Sequence, residues 1–188
     1  MIHMNPLSHF DRYYDAGNKV LNLCGLNLDE CDFGEIRLLL VSHTEMEELI
    51  LKNNCFYGDT IRKILYCVTL HGIKLKRLDL SGNMVGPNGI ESIGKYVAGN
   101  TELQWLGLSS NRLGTWGGLM LAGYLKEHNS LSYLDVTENN MDDIAGISIV
   151  INMSTCNILS RICIAHGNRC GEMLKCVVER LNMQNYVE

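Results

Sequence analysis

The 188-residue chain reads as an α/β solenoid, a right-handed horseshoe arc of about six strand-helix units. A parallel sheet is expected on its concave side and helices on its convex side. Three observations predict this. The phrase leucine, two residues, leucine, one residue, leucine, two residues, asparagine recurs every 28 residues: LKRLDLSGN from Leu75, LQWLGLSSN from Leu103 and LSYLDVTEN from Leu131. Apolar residues alternate within each phrase, the period of a strand, and recur after it at helical spacing. No single unit can bury both its strand leucines and its helix face, so the units must stack.

The elements follow in order. VLNLCGL around Leu21 is the first and most divergent strand phrase, and Phe33, Ile36 and Leu40 form the helix face behind it. Met46 opens MEELILKNN, and its helix presents Ile61, Ile64 and Val68. In LKRLDLS, Leu78 and Leu80 point inward and leave Arg77, Asp79 and Ser81 in water. Gly86-Pro87-Asn88-Gly89 marks the turn that opens the next helix, whose Ile90, Ile93 and Val97 share one face. The later faces are Leu121, Ala122 and Leu125, then Ile149 and Met153, then Leu174, Val177 and Leu181. A degraded phrase, LSRICIAHG from Leu159, precedes the last of these. Residues 1–18 read as an N-terminal cap, and 19–188 as the repeat domain with a C-terminal capping repeat.

The phrase-ending asparagines form an expected structural ladder of Asn54, Asn83, Asn111 and Asn139. An inward amide where the chain leaves the strand can satisfy backbone groups of its own loop and the next. The pattern fails at Leu26 and Gly167, as expected of terminal units with one neighbour. Parallel strands lie about 4.8 Å apart and packed helices about 8–10 Å. That mismatch bends the stack, and six strands span about 24 Å.

Composition narrows the function. Net charge is −5, with nine acidic and three basic residues in 1–48. This acidic quarter is either a solvated cap on the open end of the stack or a docking patch for a basic partner. The cluster Arg62, Lys63, Lys74, Lys76 and Arg77 is interrupted by apolar residues and lacks a nucleic-acid recognition motif. No apolar run is long enough to span a membrane, and the N-terminus does not read as a secretory signal. The expected location is cytoplasmic, or else nuclear.

The eight cysteines contain no CxxC pair and no zinc spacing, so they read as reduced and mostly buried small hydrophobes. Asn152-Met153-Ser154 falls in a predicted helix, an unsuitable place for glycosylation. The six histidines sit at dispersed repeat phases, and no metal or cofactor is expected. Phosphate loop, HExxH and GxSxG motifs are absent, and Asp142-Asp143 reads as a helix start. Catalysis is therefore not expected.

With these phrases in view, the chain resembles the leucine-rich-repeat family, in the 28–29-residue strand-helix class of ribonuclease inhibitor. NOD-like receptors, tropomodulin and the Ran GTPase-activating protein carry the same class. NMVGPNGIESIGKYVAGN from Asn83, and Asn111-Arg112-Leu113-Gly114 opening the next copy, carry the resemblance over roughly residues 19–184. It implies a non-catalytic interaction module, a scaffold or adaptor binding a protein or peptide on its concave face. It also admits GTPase activation, with Asn83, Asn111, Arg112 or Asn139 contributing from the loops after the strands.

Strand alternation names the expected contact residues: Glu48, Lys52, Arg77, Asp79, Trp105, Tyr133, Asp135 and Arg161. Trp105 and Tyr133 share a column on neighbouring strands, flanked by Arg77 and Arg161. These residue types dominate protein-binding hot spots. The competing reading is an aromatic-arginine stack that only shields the sheet. Trp116, in the loop before the fourth helix, is expected to wedge between repeats.

Overall fold

The computed structural model describes residues 9–126, 128, 130–154, 161–183 and 187–188. Cys156, Leu159 and the first eight residues of the cap lie outside that set.

Six parallel strands form one sheet: β2 (Val20–Asn22), β3 (Glu48–Ile50), β4 (Arg77–Asp79), β5 (Trp105–Gly107), β6 (Tyr133–Asp135) and β7 (Arg161–Cys163). They are joined in chain order by helices α1 (Phe33–Ser42), α2 (Gly58–Leu70), α3 (Gly86–Gly99), α4 (Gly114–Leu125) and α5 (Asp143–Met153). Helix α6 (Glu172–Arg180) follows β7. A two-residue strand that the sequence did not suggest, β1 (Tyr14–Asp15), pairs antiparallel with β2 and covers that edge. Each parallel strand pairs only with its sequence neighbours, so the sheet is an open arc, concave on the strand side and convex on the helix side.

Register aligns the repeats residue for residue. Leu21, Leu49, Leu78, Leu106, Leu134 and Ile162 form one paired row, all fully buried. Leu23, Leu51, Leu80, Leu108, Val136 and Ile164 form a second inward row. Behind them the predicted faces of α2, α3, α4 and α5 are buried. The last helix differs: its buried residues are Leu174 and Val178, while Val177 is half-buried and Leu181 exposed. Among the described residues no helix follows α6, which buries the face turned toward α5.

The asparagine ladder has five rungs. Asn54, Asn83, Asn111 and Asn139 each donate through Nδ2 to strand carbonyls of their own and the preceding repeat. Their Oδ1 atoms accept backbone N–H groups of the preceding loop. Asn168 repeats this, from Nδ2 to Val136 and Ile164 O and from Asn139 and Met141 N to its Oδ1. The failure expected at Gly167 is therefore corrected: the last loop is one residue longer, and the amide comes one position later. Backbones immediately before the rungs are left-handed, at Asn53, Gly82, Ser110, Glu138 and Gly167, which turns each chain out of its strand.

The cysteines depart from expectation. Among the described residues only Cys67 is buried, whereas Cys24, Cys31 and Cys176 are exposed and Cys55, Cys163 and Cys170 half-buried. Cys24 and Cys163 fall on outward strand positions, so repeat phase alone did not bury them. No two of the seven described cysteines are joined in a disulfide.

Candidate functional site

The outward side chains of β4, β5 and β6 build a stack across the concave face. Paired register sets Arg77, Trp105 and Tyr133 side by side. The Trp105 and Tyr133 rings are 3° from parallel with centroids 5.0 Å apart. The Arg77 guanidinium sits 4.1 Å from the Trp105 ring centroid on the opposite side. Strand spacing of about 4.8 Å matches the separation that aromatic stacking favours, so the sheet itself holds the stack. The Arg77–Trp105 contact is a cation-π pair.

Gly107 makes room for it. Two positions along its strand from Trp105, it stands in a column with Asp79 and Asp135, and the indole folds over it. The consequence corrects a sequence expectation: Asp79 is not in water but 3 % exposed. Its Oδ1 accepts the Ser81 N–H, and its Oδ2 lies 3.7 Å from Arg77 Nη2. Ser81 is buried with it. Asp135 holds its own turn likewise, accepting from Thr137 N and Oγ1, but stays half-buried.

The flanks are less uniform than the alternation implied. Glu48 is half-buried and 4.0 Å from Arg77 Nε, while Lys52 is exposed further along the same side. Arg161 does not extend the stack. It pairs with Glu188 at 2.5 Å, because residues 187–188 lie along β7, with Glu188 N bonded to Ile162 O. Tyr133 Oη instead lies 3.4 Å from Cys163 Sγ. Burial, reinforced by that thiol, pushes the Tyr133 phenol above its ordinary value, so it stays protonated at neutral pH.

Trp116 is 67 % exposed near the start of α4, not wedged between repeats. Asp142 caps α5 through Ile144 and Ala145 N, and Asp143 reaches the next repeat to accept from Gly171 and Leu174 N. No cluster of metal-ligating side chains occurs among the described residues. Nor is any described helix long and apolar enough to cross a membrane.

A family profile described as "Leucine Rich repeat" matches residues 73–94 and 127–150, which cover β4 and β6 with parts of the helices behind them. Those two segments are leucine-rich repeats. Among solved structures, this leucine-rich-repeat chain is similar to "Leiomodin-1 Actin-Binding Site 2 (ABS2)", with a TM-score of 0.63 and 16 % identity. The match covers 80 % of this chain and 88 % of that one. At that identity the likeness is one of fold. No curated protein sequence matches significantly.

Sequence reasoning missed Gly107, Asn168 and Glu188. Gly107 left a legible signal, a glycine interrupting a column of aspartates beside a tryptophan. Glu188 left none, because its position depends on how the chain returns to β7 after α6.

Proposed function

We propose that this leucine-rich-repeat protein is a non-catalytic interaction module, a scaffold or adaptor that captures a protein or peptide on its concave face. The observation that supports this reading is the Arg77–Trp105–Tyr133 stack. It holds two large aromatics on a solvent-facing sheet with no covering element among the described residues. The rings face one another, so a partner meets their edges and the free side of Tyr133, with Glu48, Lys52 and Asp135 supplying polar orientation. Preorganised rings lose little rotamer entropy on binding, the property that makes such residues hot spots. Arg161, held by Glu188, joins only if that ion pair opens.

The similar solved structure is an actin-binding site of leiomodin-1, so purified actin is the first partner to assay. Free thiols on the surface suit a reducing cytoplasmic or nuclear setting. The N-terminal segment, 1–18, acts in this reading as a cap, and 19–188 as the repeat body. Nothing in the site favours GTPase activation. Asn83, Asn111 and Asn139 are buried with their amides committed to the ladder, and only Arg112 of that set is exposed.

The test is capture by the immobilised full chain, of actin and of lysate proteins identified by mass spectrometry. Trp105→Ala with Tyr133→Ala is expected to weaken capture at least tenfold, about 1.4 kcal/mol or more, while the far-ultraviolet circular dichroism spectrum stays unchanged. Undiminished capture would move the interface to the helices or the acidic cap. GTP hydrolysis by small GTPases, stimulated by the chain and lost with Arg112→Ala, would replace the adaptor reading altogether.

A further inference from the structure

The convex side carries a second surface that the concave-face reading does not use. A groove of about 760 Å³ opens beside α2 and is lined from α1, α2 and α3. Its floor is apolar: Leu65, Cys67 and Tyr96 are buried there, and Phe33 is half-buried at one wall. Between α3 and α4 the Tyr124 ring lies directly on Gly94. The residue on the corresponding face of α2 is Leu65, which lines the groove together with Tyr96. Tyr66 stands at the rim 66 % exposed, and Leu70, one turn further, is 63 % exposed. An apolar strip thus continues out of the cavity along α2.

The rim is cationic. Arg37, Arg62, Lys63 and Lys95 line the groove and, among the described residues, no carboxylate does, in a chain whose net charge is −5. Arg62 and Lys95 have partners on their own helices, Asp59 at 3.1 Å and Glu91 at 2.5 Å. Arg37 and Lys63 have no carboxylate at ion-pair distance among the described residues. Lys63 instead places its ammonium 5.9 Å from the Phe33 ring centroid. An apolar floor edged by cations, two of them without a carboxylate partner among the described residues, is complementary to an apolar stripe edged with carboxylates.

We infer that this groove docks a short acidic amphipathic segment of a partner protein. Its apolar side chains would enter over Leu65 and Tyr96 and against Tyr66, and its carboxylates would pair with Arg37 and Lys63. The volume lies in the range of ligand sites, about 300–1,000 Å³. The exposed strip of Tyr66 and Leu70 favours a peptide over a small molecule, because it prolongs the contact beyond the cavity. Helix-in-groove recognition reads such surfaces with anchors at i, i+3 or i+4, and i+7.

The probe is a phage-displayed library of random peptides of about 14 residues, roughly 21 Å if helical, panned on the 188-residue chain. The expected result is enrichment of peptides rich in Asp and Glu with apolar residues at helical spacing. Their affinity should fall at least tenfold, about 1.4 kcal/mol, for Arg37→Glu with Lys63→Glu. Both positions are exposed, so an unchanged circular dichroism spectrum is expected of the charge-reversed chain. Peptide affinity should be unchanged for Trp105→Ala with Tyr133→Ala, which separates this surface from the concave one. The inference is overturned by no enrichment, by enrichment without acidic excess, or by acidic peptides that bind the charge-reversed chain equally well. Two further outcomes also overturn it by reassigning the groove. One is charge-dependent sedimentation with phosphatidylserine vesicles in the absence of acidic-peptide binding, which points to a lipid surface. The other is self-association of the chain abolished by the same charge reversal, which points to a second copy.

Discussion

Gly107 lies beneath the indole of Trp105: a Cβ on that glycine would come within 2.6 Å of two ring carbons and 2.7 Å of Asp79 Oδ1. The missing side chain lets the ring lie down along its strand, and the ring in turn takes Asp79 out of water. Arg77 closes the arrangement, facing the Trp105 ring on one side and Asp79 on the other. One absent methyl group therefore supports the whole stack.

Replacing Gly107 with alanine should lift Trp105 off the sheet and re-expose Asp79. Inserting a methyl into a filled site costs about 1–3 kcal/mol. In a Trp116→Phe background, which removes the exposed second tryptophan, the fluorescence of Trp105 should shift to the red. Partner capture should fall as it does for the double alanine variant. An unshifted spectrum would mean that the ring does not depend on Gly107 for its seat.

The ladder should be least tolerant at its centre. Asn111→Ala leaves the buried Val85 N–H without its partner, at about 1–3 kcal/mol, and removes one of the two amide donors from each of the Leu80 and Leu108 carbonyls, which keep Asn83 and Asn139. Asn168→Ala should cost less, since that rung is half-buried at the end of the stack. Urea unfolding of the two variants measures the ranking directly.

Acid stability should depend in part on Glu47, which joins the first repeat to the third through Lys19 at 2.7 Å and Lys76 at 2.5 Å. Hydrogen bonds from these two ammonium groups hold its carboxyl down at about 2, against an ordinary 4.5. The unfolded chain therefore takes up the proton first as pH falls. The contribution is complete above pH 4.5 and is lost progressively from there toward about 2. Glu47→Gln should flatten that part of the denaturation midpoint against pH, and added salt should reduce the difference.

His128 should add a second pH dependence nearer neutrality. Its Nδ1 accepts the Leu131 N–H at 3.1 Å, while Nε2 lies 3.2 Å from Asn100 O. The ring is therefore neutral, with its proton on Nε2. Burial lowers its pKa below the ordinary 6.5, outweighing the Asn100 carbonyl. Protonation again favours the unfolded chain, so this stability is full above 6.5 and declines as pH drops below it. A proton titration of the imidazole by nuclear magnetic resonance checks the direction, and His128→Phe should remove the slope in that window.

The repeat phrase alone was enough to specify the architecture, the inward rows from Leu21 to Ile162 and the column that sets Trp105 beside Tyr133. These depend on periods of two and of 3.6 residues, which are local and written directly in the chain. Tertiary structure decided how the outward residues treat one another. Asp79 is covered because the neighbouring strand offers a glycine beneath a tryptophan. Arg161 is withdrawn because residues 187–188 run beside it, and Asn168 rescues the last rung because its loop is one residue longer. The groove beside α2 likewise depends on which side chain meets which across a helix pair. Alternation tells a residue which way to point, but exposure is a property of its neighbours, and those are assembled only when the repeats stack.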